Sequence, residues 1–257
     1  MEAYTGFAGV YDLLMDETPY GQWCENVVHE LEKYGIRDGL LLELGCGTGT
    51  LTELLAQKGY DMIGVDCSEE MLNIACDKRA QSGQDILYLR QDMRSFELYG
   101  TVRAVVSVCD SLNYLLAEED LAACFRLVSN YLDPKGIFFF DFNTRYKYET
   151  VIGDSVIAEN REDCSFIWEN YFDPEDGINE YDLTVFVKKR EEPERGQDLF
   201  SRFQEVHFQR GYTLEEIKSL LARAGLSFVR AYDADTLGEV TAQSERIYCV
   251  AQEKMKE

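Results

Sequence analysis

Positive charge is scarce in this sequence: 25 lysines and arginines face 48 aspartates and glutamates, and the net charge of −23 repels nucleic acid and anionic membrane surfaces rather than attracting them. The chain is therefore not expected to act on RNA or DNA. Metal-ligand spacing is missing as well. Eight cysteines are present, but none forms a CxxC pair or a zinc-type cluster, and only His29 and His207 supply imidazole, so no metal is expected. Several of the cysteines fall inside apolar segments, as reduced buried thiols of a cytoplasmic protein do. No apolar run approaches the roughly 18 residues of a membrane span, and no basic stretch followed by an apolar core opens the chain. A cytoplasmic protein without membrane association is predicted. No internal repeat or low-complexity segment appears, and the charged stretch from Lys188 to Asp198 is expected to be a solvated loop.

What is present is enough chain to bury a core: at 257 residues, about 70 to 75% of the unfolded surface can be removed from water. The most informative segment is Leu40 to Thr50, Leu-Leu-Leu-Glu-Leu-Gly-Cys-Gly-Thr-Gly-Thr. A short apolar run breaks into alternate glycines and then into leucines at helical spacing, which predicts a strand turning directly into a helix. Glycines at such a corner permit positive φ and close approach of a ligand, and the helix start presents unpaired N–H groups. A dinucleotide fingerprint needs G-x-G-x-x-G. Here Gly45, Gly47 and Gly49 alternate and Thr50 occupies the slot of the third glycine, which counts against NAD or FAD.

Further along, the spacing continues to fit a nucleotide site. Residues 61–65 read as a second buried strand ending at Asp66, 21 residues past Gly45; an acidic residue about 20 positions on accepts ribose hydroxyls in folds of this kind. Ser68 is placed to cap the next helix, with Glu69 and Glu70 in its first turn. Strands at 86–90 and 103–108 run into Gln91-Asp92-Met93-Arg94 and Cys109-Asp110-Ser111-Leu112-Asn113-Tyr114. In an open parallel sheet the carboxyl ends of such strands converge on one crevice.

The remaining elements complete an α/β alternation: a helix from Thr18-Pro19 to Gly35, then helices at 49–58, 69–81 and 118–132 and a strand at 137–142. That order predicts a doubly wound, mostly parallel seven-stranded sheet of Rossmann-like type. Between 155 and 210 the pattern switches to about four alternating polar–apolar segments, with Asp173-Pro174-Glu175-Asp176-Gly177 as a hairpin turn, an antiparallel β insert. A capping box at Thr213 and Glu216 then starts the last helix, followed by strands at 227–233 and 245–252. The expected division is 1–35 as an N-terminal lid segment and helix, 36–150 with 211–257 as the nucleotide-binding domain, and 151–210 as a cover.

With Glu43 two residues before the first glycine, the corner resembles motif I of the class I S-adenosylmethionine-dependent methyltransferases. The segments Tyr4-Thr5-Gly6-Phe7-Ala8-Gly9-Val10-Tyr11-Asp12-Leu13-Leu14 and Gln91 to Leu98 resemble its small-molecule branch, the aminosugar N-methyltransferases and their bacterial relatives. The resemblance implies S-adenosylmethionine as cofactor and a small-molecule methyl acceptor, nitrogen favoured. It implies a cofactor site of Glu43, Gly45, Cys46, Gly47, Asp66, Cys67, Asp92, Met93, Cys109 and Asp110, with Asp92 and Met93 on the adenine. Met93 is alternatively a core gap-filler. Tyr4, Tyr11, Tyr20 and Trp23 are implied as lid and cofactor contacts, although Tyr20 and Trp23 serve equally to anchor the first helix.

For acid–base chemistry, His207 shares a strand face with Glu205 and Gln209, and imidazole is the side chain that exchanges protons near neutral pH; the alternative is an exposed sheet histidine. Tyr11 is the second catalytic candidate, as a hydrogen-bonding orienter. Other readings are a non-catalytic S-adenosylmethionine-binding protein, a nicotinamide-dependent reductase and a transferase using a modified methyl donor. A monomer or a homodimer is compatible with the sequence.

Overall fold

A computed structural model describes residues 8–192, 197–254 and 256. Along the chain come α1 (Ala8–Leu14), α2 (Tyr20–Lys33), β1 (Gly39–Leu44), α3 (Thr50–Gln57), β2 (Tyr60–Asp66), α4 (Glu69–Ser82), β3 (Ile86–Arg90), β4 (Val102–Ser107), α5 (Glu118–Tyr131) and β5 (Leu132–Asn143). The insert holds β6 (Val156–Asn160), β7 (Cys164–Asp173), β8 (Ile178–Glu192) and β9 (Gln197–Arg210), and α6 (Leu214–Arg223), β10 (Leu226–Asp233) and β11 (Arg246–Glu253) complete the fold.

The expected fold class is borne out. The main sheet has seven strands in the order β10-β11-β5-β4-β1-β2-β3, parallel from β3 to β5 and antiparallel at β11 and β10. β1 and β4 lie side by side although four other elements separate them in sequence, so their carboxyl ends form the crevice where the strand order reverses. The second sheet, β6-β7-β8-β9, is antiparallel throughout.

Two cores flank the main sheet because its strands are apolar on both faces. In β5, Phe138, Phe140 and Phe142 pack toward α5 and α6, while Ile137 and Phe139 face α2 and α3. Every one of these phenylalanines is fully buried, and truncating one to alanine is expected to cost about 3 to 5 kcal/mol. Sequence-level capping survives in the fold: the Ser68 hydroxyl accepts from Met71 N at 3.2 Å, and both arms of the Thr213–Glu216 box are formed.

Three local features differ from the sequence reading. The N-terminal segment contains a short helix, α1, and Ser111–Tyr114 and Lys147–Ile152 form single irregular turns. The strand expected at 137–142 starts earlier, at Leu132, and takes in Asp133-Pro134-Lys135-Gly136 as an irregularity with Lys135 at φ 63°, because Val102 pairs with Leu132 and Ala104 with Ile137. His29 is exposed on α2. Among the described residues, no helix is long and apolar enough to cross a membrane.

Candidate active site

At the end of β1 the chain makes a left-handed corner, with φ of 70°, 54° and 75° at Gly45, Gly47 and Gly49. A side chain at Gly45 would approach Ser111 within 2.5 Å, and one at Gly49 would collide with the Tyr88 hydroxyl. The third glycine thus makes room for a tyrosine from β3, whereas Gly47 faces open space. Gly45 N and Cys46 N both donate to Val65 O, at 2.8 and 3.0 Å, so the corner is tied to β2 and leaves its outer face free.

Asp66 closes the ring. Its carboxylate accepts from Gly47 N at 2.8 Å and Ser68 N at 2.9 Å, which fixes its position while leaving lone pairs on both oxygens. Burial pushes its carboxyl up and the backbone N–H groups pull it back. Glu43, 3% exposed, accepts from Thr52 Oγ1 at 2.5 Å; burial raises its carboxyl pKa to about 8.

A cavity opens over this corner. Its walls include Tyr11, Tyr20, Glu43, Gly45, Cys46, Gly47, Asp66, Cys67, Met93 and Cys109, with Ser111 and Tyr114 besides. A neighbouring cavity between α1, the start of α2 and the insert sheet shares Tyr11 and Cys109 and adds Trp23, Asp110, Trp168, Tyr181, His207 and Arg246. Trp23 and Asp110, expected on the cofactor, thus stand at the second cavity. Asp92 lines neither: its carboxylate is bound by Arg94, with Nε at 3.0 Å and Nη2 at 2.6 Å, and also accepts Arg94 N at 2.8 Å. Tyr4 lies outside the described residues.

Between the cavities the backbone is strained. Cys109 and Asp110 have φ of 62° and 51°, a conformation costing roughly 1 to 2 kcal/mol per non-glycine residue. Asp141, fully buried on β5, accepts both of their N–H groups, at 3.1 and 2.8 Å. Arg246 on β11 completes the lock, donating to Asp110 at 2.6 Å and to Asp141 at 3.1 Å. Burial pushes the Asp141 carboxyl up, opposed by the Arg246 charge. Gln209 Nε2 holds the other oxygen of Asp110 at 2.7 Å.

His207 is not an exposed sheet histidine. It is 2% exposed, stacked on Tyr181 with centroids 4.9 Å apart, with Nδ1 3.1 Å from the Tyr114 hydroxyl and Nε2 3.4 Å from Glu205. Its strand's polar face points inward because Val206 and Phe208 take the outer side. The sequence pattern gave no place to Asp141 or Arg246, and it put Tyr114 at a strand end and Gln209 on the face of His207 without a role for either. The available signal was Asp141, a lone carboxylate within Phe138-Phe139-Phe140-Asp141-Phe142.

Comparison with known proteins gives this arrangement a family. Residues 41–136 match the methyltransferase domain family, and 250 residues are 38% identical to YqeM, a methyltransferase-family protein of Bacillus subtilis (strain 168), covering 97% of this chain and 96% of the relative. The chain belongs to the methyltransferases. A solved S-adenosylmethionine-dependent methyltransferase from Clostridium acetobutylicum superposes with a TM-score of 0.87 at 28% identity, covering 99% of this chain and all of that one. A 97-residue stretch is 37% identical to dTDP-3-amino-3,4,6-trideoxy-alpha-D-glucopyranose N,N-dimethyltransferase of Streptomyces venezuelae, 38% of this chain and 39% of that relative.

This methyltransferase uses S-adenosylmethionine, and its residues fit that group. The glycine corner is open on its outer face, Asp66 lines the cavity with lone pairs to spare, and the acidic wall of Asp66, Glu69 and Glu70 suits a cationic cofactor.

Proposed function

We propose that the acceptor is a small molecule methylated on nitrogen, bound in the cavity between α1 and the insert sheet. The observation that carries this reading is the contact of the two cavities through Tyr11 and Cys109, with Asp110 and His207 on the acceptor side. The named amine substrate of the Streptomyces venezuelae relative supports nitrogen as the acceptor atom. The enclosure by the insert and the charge of −23 favour a small molecule over nucleic acid.

When bound, S-adenosylmethionine supplies a methyl group whose carbon–sulfur bond breaks as the new carbon–nitrogen bond forms. On this reading Asp66 holds the ribose, Met93 packs the adenine, and the corner from Glu43 to Gly47 with Cys67 surrounds the remainder. Asp92, committed to Arg94, steadies the turn that carries Met93. Residues 1–35 close the site, 36–150 and 211–257 bind the cofactor, and 151–210 cover the acceptor. Most of the acceleration then comes from holding the reacting atoms in line. An amine of solution pKa near 9 needs roughly 2.7 kcal/mol to present its lone pair at pH 7; desolvation between aromatic walls offsets part of that. Tyr11 orients the nitrogen and His207 takes its proton.

A screen of cell-extract fractions with the methyl-labelled donor tests the proposal. Label is expected in low-mass amines; label confined to RNA or protein overturns it.

A further inference from the structure

The acceptor cavity has a definite electrostatic character. Trp23, Phe166, Trp168 and Tyr181 place ring surfaces on its walls, and Trp168 and Tyr181 pack with centroids 4.9 Å apart. Only two cations line it among the described residues, and neither is available. Arg161 bonds Glu159, Asp16 at 2.8 Å and Leu13 O at 2.6 Å. Arg246 is held by Asp110 and Asp141 and lies over the Trp23 ring, 5.5 Å from its centroid. With Glu17 also on the wall, five carboxylates answer two guanidinium groups. Counting Lys147, whose pKa burial lowers and which feels the Asp110 charge, still leaves the surroundings negative. The half charge at the start of α2 does not reverse that balance.

Resting on the proposed function, we infer that this cavity receives an organic ammonium ion carrying no phosphate. Aromatic faces attract cations through their quadrupoles, and surplus carboxylates add to the attraction. A phosphate would meet like charge, and recruiting either arginine would strand a carboxylate. The amine thus enters protonated, on a phosphate-free body.

The protein contains two tryptophans, Trp23 and Trp168, and both line this cavity, so tryptophan emission reports its occupancy. The test titrates the full-length protein, saturated with S-adenosylhomocysteine, with choline, with its uncharged tert-butyl isostere and with thymidine diphosphate. Choline is expected to give a saturable emission change in the millimolar range, the isostere to bind about 10-fold more weakly, and thymidine diphosphate to give none. Saturation by thymidine diphosphate, equal binding of the isostere, or no saturable response to choline overturns the inference. No turnover enters the titration, so its failure leaves methyl transfer to be judged by the label screen.

Discussion

Removing the Asp66 carboxylate separates cofactor binding from folding. In the structure each oxygen already accepts one backbone N–H, from Gly47 at 2.8 Å and from Ser68 at 2.9 Å, so the carboxylate is aimed before ligand arrives. Hydrogen bonds to a charged group are worth about 1.5 to 3 kcal/mol. At 1.36 kcal/mol per factor of ten, Asp66→Ala is expected to weaken S-adenosylhomocysteine roughly 10- to 150-fold. The two stranded N–H groups border the cavity, where water replaces the lost acceptor, so the stability cost is expected to be smaller, about 1 kcal/mol. Asp66→Asn is a stricter probe: its amide keeps one acceptor but turns an NH2 toward one of the two N–H donors. Isothermal calorimetry with S-adenosylhomocysteine gives the affinity, and urea unfolding without ligand gives the stability. A folded Asp66→Ala protein with parental affinity would refute the ribose assignment.

Three further outcomes follow from named contacts. Glu43 has its carboxyl raised from 4.5 to about 8 by burial, so its contribution is complete below pH 4.5 and is lost as pH rises toward 8; unfolding free energies in that window should fall by up to about 1.36 kcal/mol per pH unit from this group, and a Glu43→Gln variant retaining the same slope would contradict the assignment. Gly49→Ala should destabilise by about 2 kcal/mol or more, since φ is 75° and the new methyl meets the Tyr88 hydroxyl; adding Tyr88→Phe should recover part of the loss, and strict additivity of the pair in urea unfolding would show that the collision is unimportant. His207→Gln, which avoids the void that alanine would leave between Tyr114 and Tyr181, should lower kcat about 100-fold on an identified acceptor; a parental kcat would remove His207 as the base.

The glycine corner and Asp66 were legible because their geometry is local. Alternate glycines force the turn, and the length of one helix and one strand fixes where the acid falls. Nearly all the elements were legible for the same reason, since periodicity and caps act within a few residues. The short helix α1 and the irregular turn at Lys147–Ile152 were not, because short segments carry too few positions to show a period. Asp92 illustrates the opposite limit: its neighbour Arg94 captures the carboxylate, a competition that motif spacing does not register.

By itself the sequence determined the strand–helix alternation, the left-handed corner and the switch to an antiparallel insert, because each follows from residues near one another in the chain. The tertiary structure decided which charges meet. Arg246 reaches Asp110 across 136 residues only because the sheet order sets β11 beside β5 and β5 beside β4. His207 faces inward toward Tyr114 because of how the insert sheet packs over the crevice. Those long-range pairings shape the cavity beside the insert sheet, and no local pattern encodes them.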